Sequence, residues 1–394
     1  MNTDLIAPEL LKEVVTWRRY LHAHPELGYE VHETAGFVAE KLRAFGCDEV
    51  VTGVGRTGVV AVIAGHATLS GRVLGLRADM DALPMEEETR LPYASVHPGK
   101  MHACGHDGHT AMLLGAARHL ARSRRFDGTV VLIFQPAEEG GGGGLAMCED
   151  GLMERWGIKQ VFALHNEPGL PVGRFATATG PLAAAADGFR IQVEGKGTHG
   201  ADPHLGVDTL LASANILMAM QSIVARNLHP MKAGVVTVGS FHGGGAGNVI
   251  PQRAEMVGTV RSFDPAVRDM LQSRVVAVAE GIAASYGATA TVNYRRMFPP
   301  VVNHSRETEL AVEVASLVAG PGNVRADKAP VMGSEDFAFM LERRPGNIML
   351  IGNGATASLH EVAYDFNDDA LPHGVAYWVT LAETLMPCRE AGCP

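Results

Sequence analysis

The sequence predicts an α/β protein: a mixed, mostly parallel sheet flanked by helices, with a smaller α+β unit inserted into it. Three observations carry this reading. Nearly continuous apolar runs at 129–134 and 161–164 read as strands buried on both faces, and they alternate with amphipathic helices. Polar, chemistry-bearing residues follow those runs at once, where open parallel sheets place their active sites. A separate β-α-β-β-α-β series follows, which is a self-contained ferredoxin-like unit. The 394 residues exceed one ordinary core. The expected division is 1–186 and 297–394 for the catalytic domain and 187–296 for the insert.

In chain order, 8–23 reads as an amphipathic helix. Leu10, Leu11, Val14, Arg18 and Leu21 recur at helical spacing, with the Arg18 stem expected at the rim. His24-Pro25 ends it, because proline disfavours helix in the residue before it. A second helix is expected over 34–45, stopped by Gly46. Segments 59–64 and 72–76 read as strands, the second running into Arg77-Ala78-Asp79-Met80-Asp81. A helix over 108–122 takes its apolar face from Leu113, Leu114, Ala117, Leu120 and Ala121, which sets Cys104 and His106 just ahead of its N-terminus. The positive end of that helix is expected to favour thiolate at Cys104.

Strand 129–134 leads directly into Gln135-Pro136-Ala137-Glu138-Glu139 and the five glycines 140–144, and strand 161–164 into His165-Asn166-Glu167-Pro168. Residues 180–188 read as a hinge. In the insert, strands are expected at 189–194, 235–241, 254–262 and 289–294, with helices over 208–225 and 265–286. Segment 295–303 leads back, 348–351 reads as another buried strand of the first domain, and a last helix is expected over 372–385.

Composition narrows the function. A formal net charge of -10 gives no phosphate neutralisation, so nucleic acid is not an expected partner. With 46% apolar and 19% charged residues the chain reads as globular rather than disordered. No apolar run approaches the ~20 residues that span a bilayer, and the first ten residues carry no basic-then-apolar pattern, so neither a membrane nor a secretory signal is expected. The five cysteines (Cys47, Cys104, Cys148, Cys388 and Cys393) are odd in number, scattered and without Cys-x-x-Cys. That argues against a disulfide framework and for a reducing cytoplasm.

The densest chemistry is His102-Ala103-Cys104-Gly105-His106-Asp107-Gly108-His109. Cys104 and His106, Glu138 and Glu139, His165 and His360 form four clusters of ligand-type residues in loops or past strands. Thiolate, imidazole and carboxylate together suit zinc, manganese or cobalt rather than calcium or magnesium. Five ligating side chains are too many for one open catalytic ion and fit two that share a bridge. Neighbours on an extended segment point opposite ways. Glu139 is therefore read as ligand and Glu138 as general base, a division that spacing alone does not settle. The glycine run lacks Gly-Lys-Ser/Thr and is read as letting backbone pass close to the metals, not as a phosphate cradle. The insert offers His199, Asn248 and Arg261. Taken singly, each of these residues also has an ordinary structural reading; the eight-residue cluster is what tips the balance.

These motifs together identify a resemblance. The chain resembles the two-metal aminoacylase/carboxypeptidase family of amidohydrolases, in the branch of hippurate hydrolase, N-acyl-amino-acid amidohydrolases and indoleacetyl-amino-acid hydrolases. The likeness is nearly end to end. It rests on Arg18-Arg19-x-Leu21-His22-x-x-Pro25-Glu26-Leu27, Arg77-Ala78-Asp79-Met80-Asp81-Ala82-Leu83-Pro84 and Met101 to Asp107. It also rests on Gln135 to Gly140, Ala163 to Asn166, Gly197-x-His199-Gly200-Ala201, Asn248 to Pro251, Gly333 to Phe337, and His360 with Tyr364 to Asn367.

The resemblance implies a zinc-peptidase-like catalytic domain with a dimerisation lid. It implies two divalent ions per subunit, Mn2+ or Zn2+ with Co2+ and Ni2+ as alternatives, on Cys104, His106, Glu139, His165 and His360, with Cys104 bridging. Glu138 would be the base, and Asp79 would orient a ligand. His199 would stabilise the oxyanion in the partner subunit's site, while Asn248 and Arg261 would hold the substrate. Elsewhere in the family a metal-binding histidine stands two residues before that aspartate. Here the place is held by Arg77, which favours the hippurate hydrolase branch. The implied reaction is hydrolysis of N-acyl (N-acetyl, N-benzoyl or similar) L-amino acids by a cytoplasmic homodimer or dimer of dimers. The alternatives are a dipeptidase, another small-amide hydrolase, or a non-catalytic binding homologue.

Overall fold

The computed structural model describes residues 6–388. They divide into two compact units: one runs up to Leu182 and includes Val302–Ala329 and the chain from Asp336 on, and the other comprises Ala183–Val301 and Pro330–Glu335. In chain order the first contributes α1 (Pro8–Ala23), α2 (His32–Ala44), β1 (Glu49–Val54), β2 (Gly58–Ala64) and β3 (Val73–Asp79). Then come α3 (His106–Ser123), β4 (Thr129–Gln135), α4 (Gly143–Glu149) and β5 (Gln160–Glu167). The second unit supplies β6 (Ala185–Glu194), α5 (Thr209–Ser222), β7 (Gly234–Gly243), β8 (Arg253–Ser262), α6 (Pro265–Ser285) and β9 (Thr289–Phe298). Returning to the first unit, α7 (Ser305–Ala319), β10 (Gly346–Gly352) and α8 (Leu371–Leu385) close the order.

The larger unit is built on a mixed eight-stranded sheet ordered β1-β2-β4-β3-β5-β10, extended by Phe175–Ala176 and Val324–Arg325. Its centre, β4-β3-β5-β10, is parallel, so the C-terminal ends of these strands share one edge. Their near-continuous apolar character follows from burial on both faces: every residue of β4 after Thr129 and every residue of β10 is buried. Helix α3 is buried almost all round, through Ala111, Met112, Leu113, Leu114, Ala116, Ala117 and Leu120. It packs against α1 and α8 and directs its N-terminus to the strand ends.

The smaller unit is a four-stranded antiparallel sheet ordered β7-β8-β6-β9. Helices α5 and α6 close a core of Phe189, Ile191, Val193, Ala212, Ile216, Met220, Leu271 and Val275. That order with two crossing helices is the ferredoxin-like arrangement.

Several expectations are corrected. Arg18 is not at a rim; it is fully buried, ion-paired with Asp107 at 3.7 Å, Asp365 at 3.1 Å and Asp368 at 2.6 Å. The segment read as a hinge at 180–188 is extended, Gly180–Ala183 followed by β6, and the boundary between the two units, Leu182/Ala183, falls within it. Helix α7 was not anticipated, although Leu310, Val314 and Val318 show its spacing. Within the glycine run, Gly143 and Gly144 open α4, and a Cβ there would collide with Pro136 O and lie 2.7 Å from Asp336 O. Among the described residues one stretch, Thr209–Asn227, is long and apolar enough by length and composition to cross a membrane; its row of Ala212, Ile216, Met220 and Ile223 packs into the unit's own core. Cys47, Cys104 and Cys148 are free thiols, whereas Cys388 is disulfide-bonded.

Candidate metal centre

The centre lies at the shared C-terminal edge of β3, β4 and β5 and at the N-terminus of α3. Cys104 ends the turn before that helix, and Gly105 caps it with φ +88°. A side chain at Gly105 would collide with Asn166 Nδ2 and lie 2.6 Å from Tyr364 Oη, so bare backbone is what lets Cys104 and His106 flank the site.

His106 donates Nδ1–H to Asp81 O at 2.8 Å, which leaves its lone pair on Nε2. His165, near the end of β5, donates Nδ1–H to Asn166 O at 2.7 Å and holds Nε2 3.6 Å from Cys104 Sγ. Just past β4, the Asp81 carboxylate accepts the backbone N–H of Glu138 at 3.0 Å and of Glu139 at 3.1 Å. Glu139 Oε1 stands 3.2 Å from His360 Nε2 and 3.9 Å from His106 Nε2. His360 has a left-handed backbone, φ +64°, and is tied by its N–H to Ala103 O at 2.8 Å. For a residue other than glycine this costs of order 1–3 kcal/mol, a strain common at functional sites.

The donor atoms fall into overlapping groups within 4.8 Å: Cys104 with His106 and His165, Cys104 with Glu139 and His360, and His106 with Glu138 and Glu139. Cys104 belongs to both of the first two. His106 Nε2 is buried without a hydrogen-bond partner, and an orphaned buried polar atom costs about 1–3 kcal/mol. Soft sulfur, two imidazoles with fixed tautomers and a carboxylate make a donor set that fits divalent transition-metal ions.

Electrostatics corrects one expectation. Burial pushes the Cys104 thiol well above its ordinary range, and nearby Glu139 adds to this; the lowering by His106 does not offset them. The helix end therefore does not by itself offset the cost of burying a thiolate at Cys104. Burial opposes protonation of His106, but Asp79 and Cys104 outweigh it and raise it well above its usual range. Burial likewise opposes ionisation of Asp79, and Arg77, His106 and His109 together still hold it well below the carboxylate range.

The remaining candidates separate. Asp79 Oδ1 accepts from His109 Nδ1 at 2.6 Å, and His109 Nε2 accepts the Asn166 N–H at 2.9 Å. Asp81 and Asn166 hold the site together although the sequence gave them no task, and His109, which the sequence reads as a supporting or substrate-side residue, stands between Asp79 and Asn166. The signal for Asp81 was its position two residues after Asp79, beyond a strand end. His102 is fully buried, with neither ring nitrogen hydrogen-bonded, and belongs to none of the donor groups.

In the smaller unit, Thr198–His199 pairs with Val249–Ile250, and Gly200 donates its N–H to Asn248 O at 2.8 Å. The exposed His199 and Asn248 are thus neighbours. Arg261 is not with them: it lies eight residues along β8 from Arg253, roughly 26 Å at the usual strand rise. It donates to Thr259 Oγ1 and Val260 O of its own strand.

Comparison with known proteins matches the geometry. The profile of peptidase family M20/M25/M40 covers residues 75–384. The chain is 40% identical to N-acetyl-L-cysteine deacetylase of Bacillus subtilis, over 97% of this chain and 90% of that protein. It is also 40% identical to hippurate hydrolase of Campylobacter jejuni, over 96% and 98%. Among solved structures it is similar to the Bacillus subtilis YXEP protein, described as a dinuclear metal-binding peptidase, with TM-score 0.84, 36% identity and coverage of 96% and 99%.

Proposed function

The chain belongs to peptidase family M20/M25/M40, and on that premise we propose that it hydrolyses the amide bond of N-acyl amino acids, releasing a carboxylic acid and a free amino acid. The observation that carries this reading is the position of Cys104 in two donor groups at once, one with His106 and His165 and one with Glu139 and His360. Those five residues would hold two divalent ions, with Cys104 between them. When bound, such a pair polarises the amide carbonyl and acidifies water. Sulfur favours Zn2+ by softness, and Mn2+ remains the alternative.

The chain's own groups do the rest. The Asp81 carboxylate fixes the turn that carries Glu138. Glu138 takes a proton from the attacking water and returns it to the leaving amine. Backbone carbonyls hold His106 and His165 in one tautomer, so neither rotates away from the site. We assign oxyanion stabilisation to His199, a contact of a type worth about 3 kcal/mol, and substrate binding to its neighbour Asn248. Arg261 has less support, because its guanidinium is engaged along its own strand. A homodimer is supported by Leu211 and Met218 on α5, exposed at 50% and 71%, beside the edge strand β7.

The test is a panel of N-acetyl, N-benzoyl, longer N-acyl and indoleacetyl amino acids assayed with Mn2+ and with Zn2+. Absence of hydrolysis across the panel with either ion would end this reading.

A further inference from the structure

Arg77 is a guanidinium buried on a central strand, with no task in the reaction so far described. Nε donates to Gln135 Oε1 at 2.9 Å, Nη1 to Asp79 Oδ2 at 2.6 Å and Nη2 to Asp336 Oδ1 at 3.1 Å. All four side chains are at most 1% exposed. The register makes the first two contacts: residues 77 and 79 share a face of β3, and Asp79 pairs with Gln135 on β4.

Each acidic partner continues into the centre by its other atoms. Asp79 holds His109, which is bonded to Asn166, and Asn166 Nδ2 donates to Cys104 O at 2.6 Å. On the opposite side, Asp336 Oδ2 accepts the Gly144 N–H at 2.8 Å, and the Asp336 N–H donates to Glu138 Oε1 at 3.4 Å. Gln135 Nε2 closes the figure on Asp336 Oδ1 at 2.7 Å. A planar guanidinium presents its donors at fixed angles, so two carboxylates bound to one fork are fixed relative to each other; an ammonium imposes no such angle.

We propose that Arg77 is a positioning residue that ties the metal-ligand side of the centre, through Asp79, to the general-base side, through Asp336. One rigid cation sets both. Asp79, with one oxygen on Arg77 and the other on His109, supports the ligands. This deepens the amide-hydrolase reading and rests on it.

The test uses the full-length protein as wild type, Arg77→Lys, Asp336→Asn and the double variant. Mn2+ is titrated into each metal-free protein by calorimetry, and kcat and KM are measured on an N-acetyl amino acid at saturating Mn2+. Arg77→Lys is expected to weaken Mn2+ binding about tenfold and to lower kcat about 100-fold with KM within about twofold. Asp336→Asn is expected to lower kcat about tenfold at unchanged Mn2+ stoichiometry, and to add less than about twofold on top of Arg77→Lys. Multiplying losses in the double variant, or wild-type Mn2+ affinity and kcat in Arg77→Lys, overturns the proposal.

If Arg77→Lys does not fold, Asp79→Asn and Asp336→Asn decide with Arg77 intact. A double variant no worse than the worse single supports coupling, and a product of the two losses overturns it. A wild type that binds no Mn2+ and hydrolyses nothing overturns the functional reading and the coupling with it. A competent wild type with unaffected variants overturns the coupling alone.

Discussion

Arg18 and His22 show how single residues brace the centre from behind. His22 Nδ1–H donates to Asp107 Oδ2 at 2.8 Å, one residue from His106, and its Nε2 lies 3.4 Å from Glu87. Burial opposes the charge on His22, yet Asp107 and Glu87 raise its pKa to about 9. Its folded value lies above the ordinary 6.5, so its stabilisation is fully present below about pH 6.5 and is lost as pH rises through about 9. The difference corresponds to about 3 kcal/mol. His102 has the opposite sign: burial lowers it to about 3, so stability falls as pH drops from about 6.5. Urea unfolding of the metal-free protein should therefore be most stable near pH 6.5, and His22→Gln should flatten the alkaline limb. An unchanged limb would show that His22 is uncharged in the fold. At the reacting atoms, Glu138→Ala should retain metal by elemental analysis and lose turnover, whereas Cys104→Ser should lose metal. Wild-type-like turnover in the first variant would remove Glu138 as base.

At the scale of the element, α3 and the turn before it decide the site. The helix is buried on nearly every side, so it cannot rotate to relieve a misplaced ligand. Gly105→Ala adds left-handed strain to a collision with the Asn166 and Tyr364 side chains. It should cost about 3 kcal/mol and also weaken metal binding, because Asn166 holds the Cys104 carbonyl. Calorimetric melting with and without Mn2+ separates the two effects; equal loss in both would mean strain alone.

At the scale of the molecule, the proposed homodimer would use the exposed Leu211 and Met218 of α5 and the edge strand β7. Met218→Glu should shift the protein to monomer by light scattering while the unit stays folded, since Met218 lies outside that unit's core. If His199 serves the partner's site, mixing inactive His199→Ala with inactive Glu138→Ala should recover part of the activity through heterodimers. No recovery after subunit exchange would place a complete site in one chain.

The sequence by itself determined the layer architecture, the insert's strand and helix order, and the identity of the ligand-type residues. These depend on period, burial pattern and residue chemistry, which are local along the chain. It did not reveal α7, and set Arg18 at a rim because an arginine on an apolar stripe looks like a snorkelling edge residue. The carboxylates of Asp107, Asp365 and Asp368 that make its burial tolerable come from distant segments. Only the tertiary structure decided that Cys104 lies in two donor groups, that Asp81 fixes the Glu138 turn, and that Arg77 holds Asp79 and Asp336 together. Those contacts join residues up to 259 positions apart, and no pattern within one segment specifies a distance between two others.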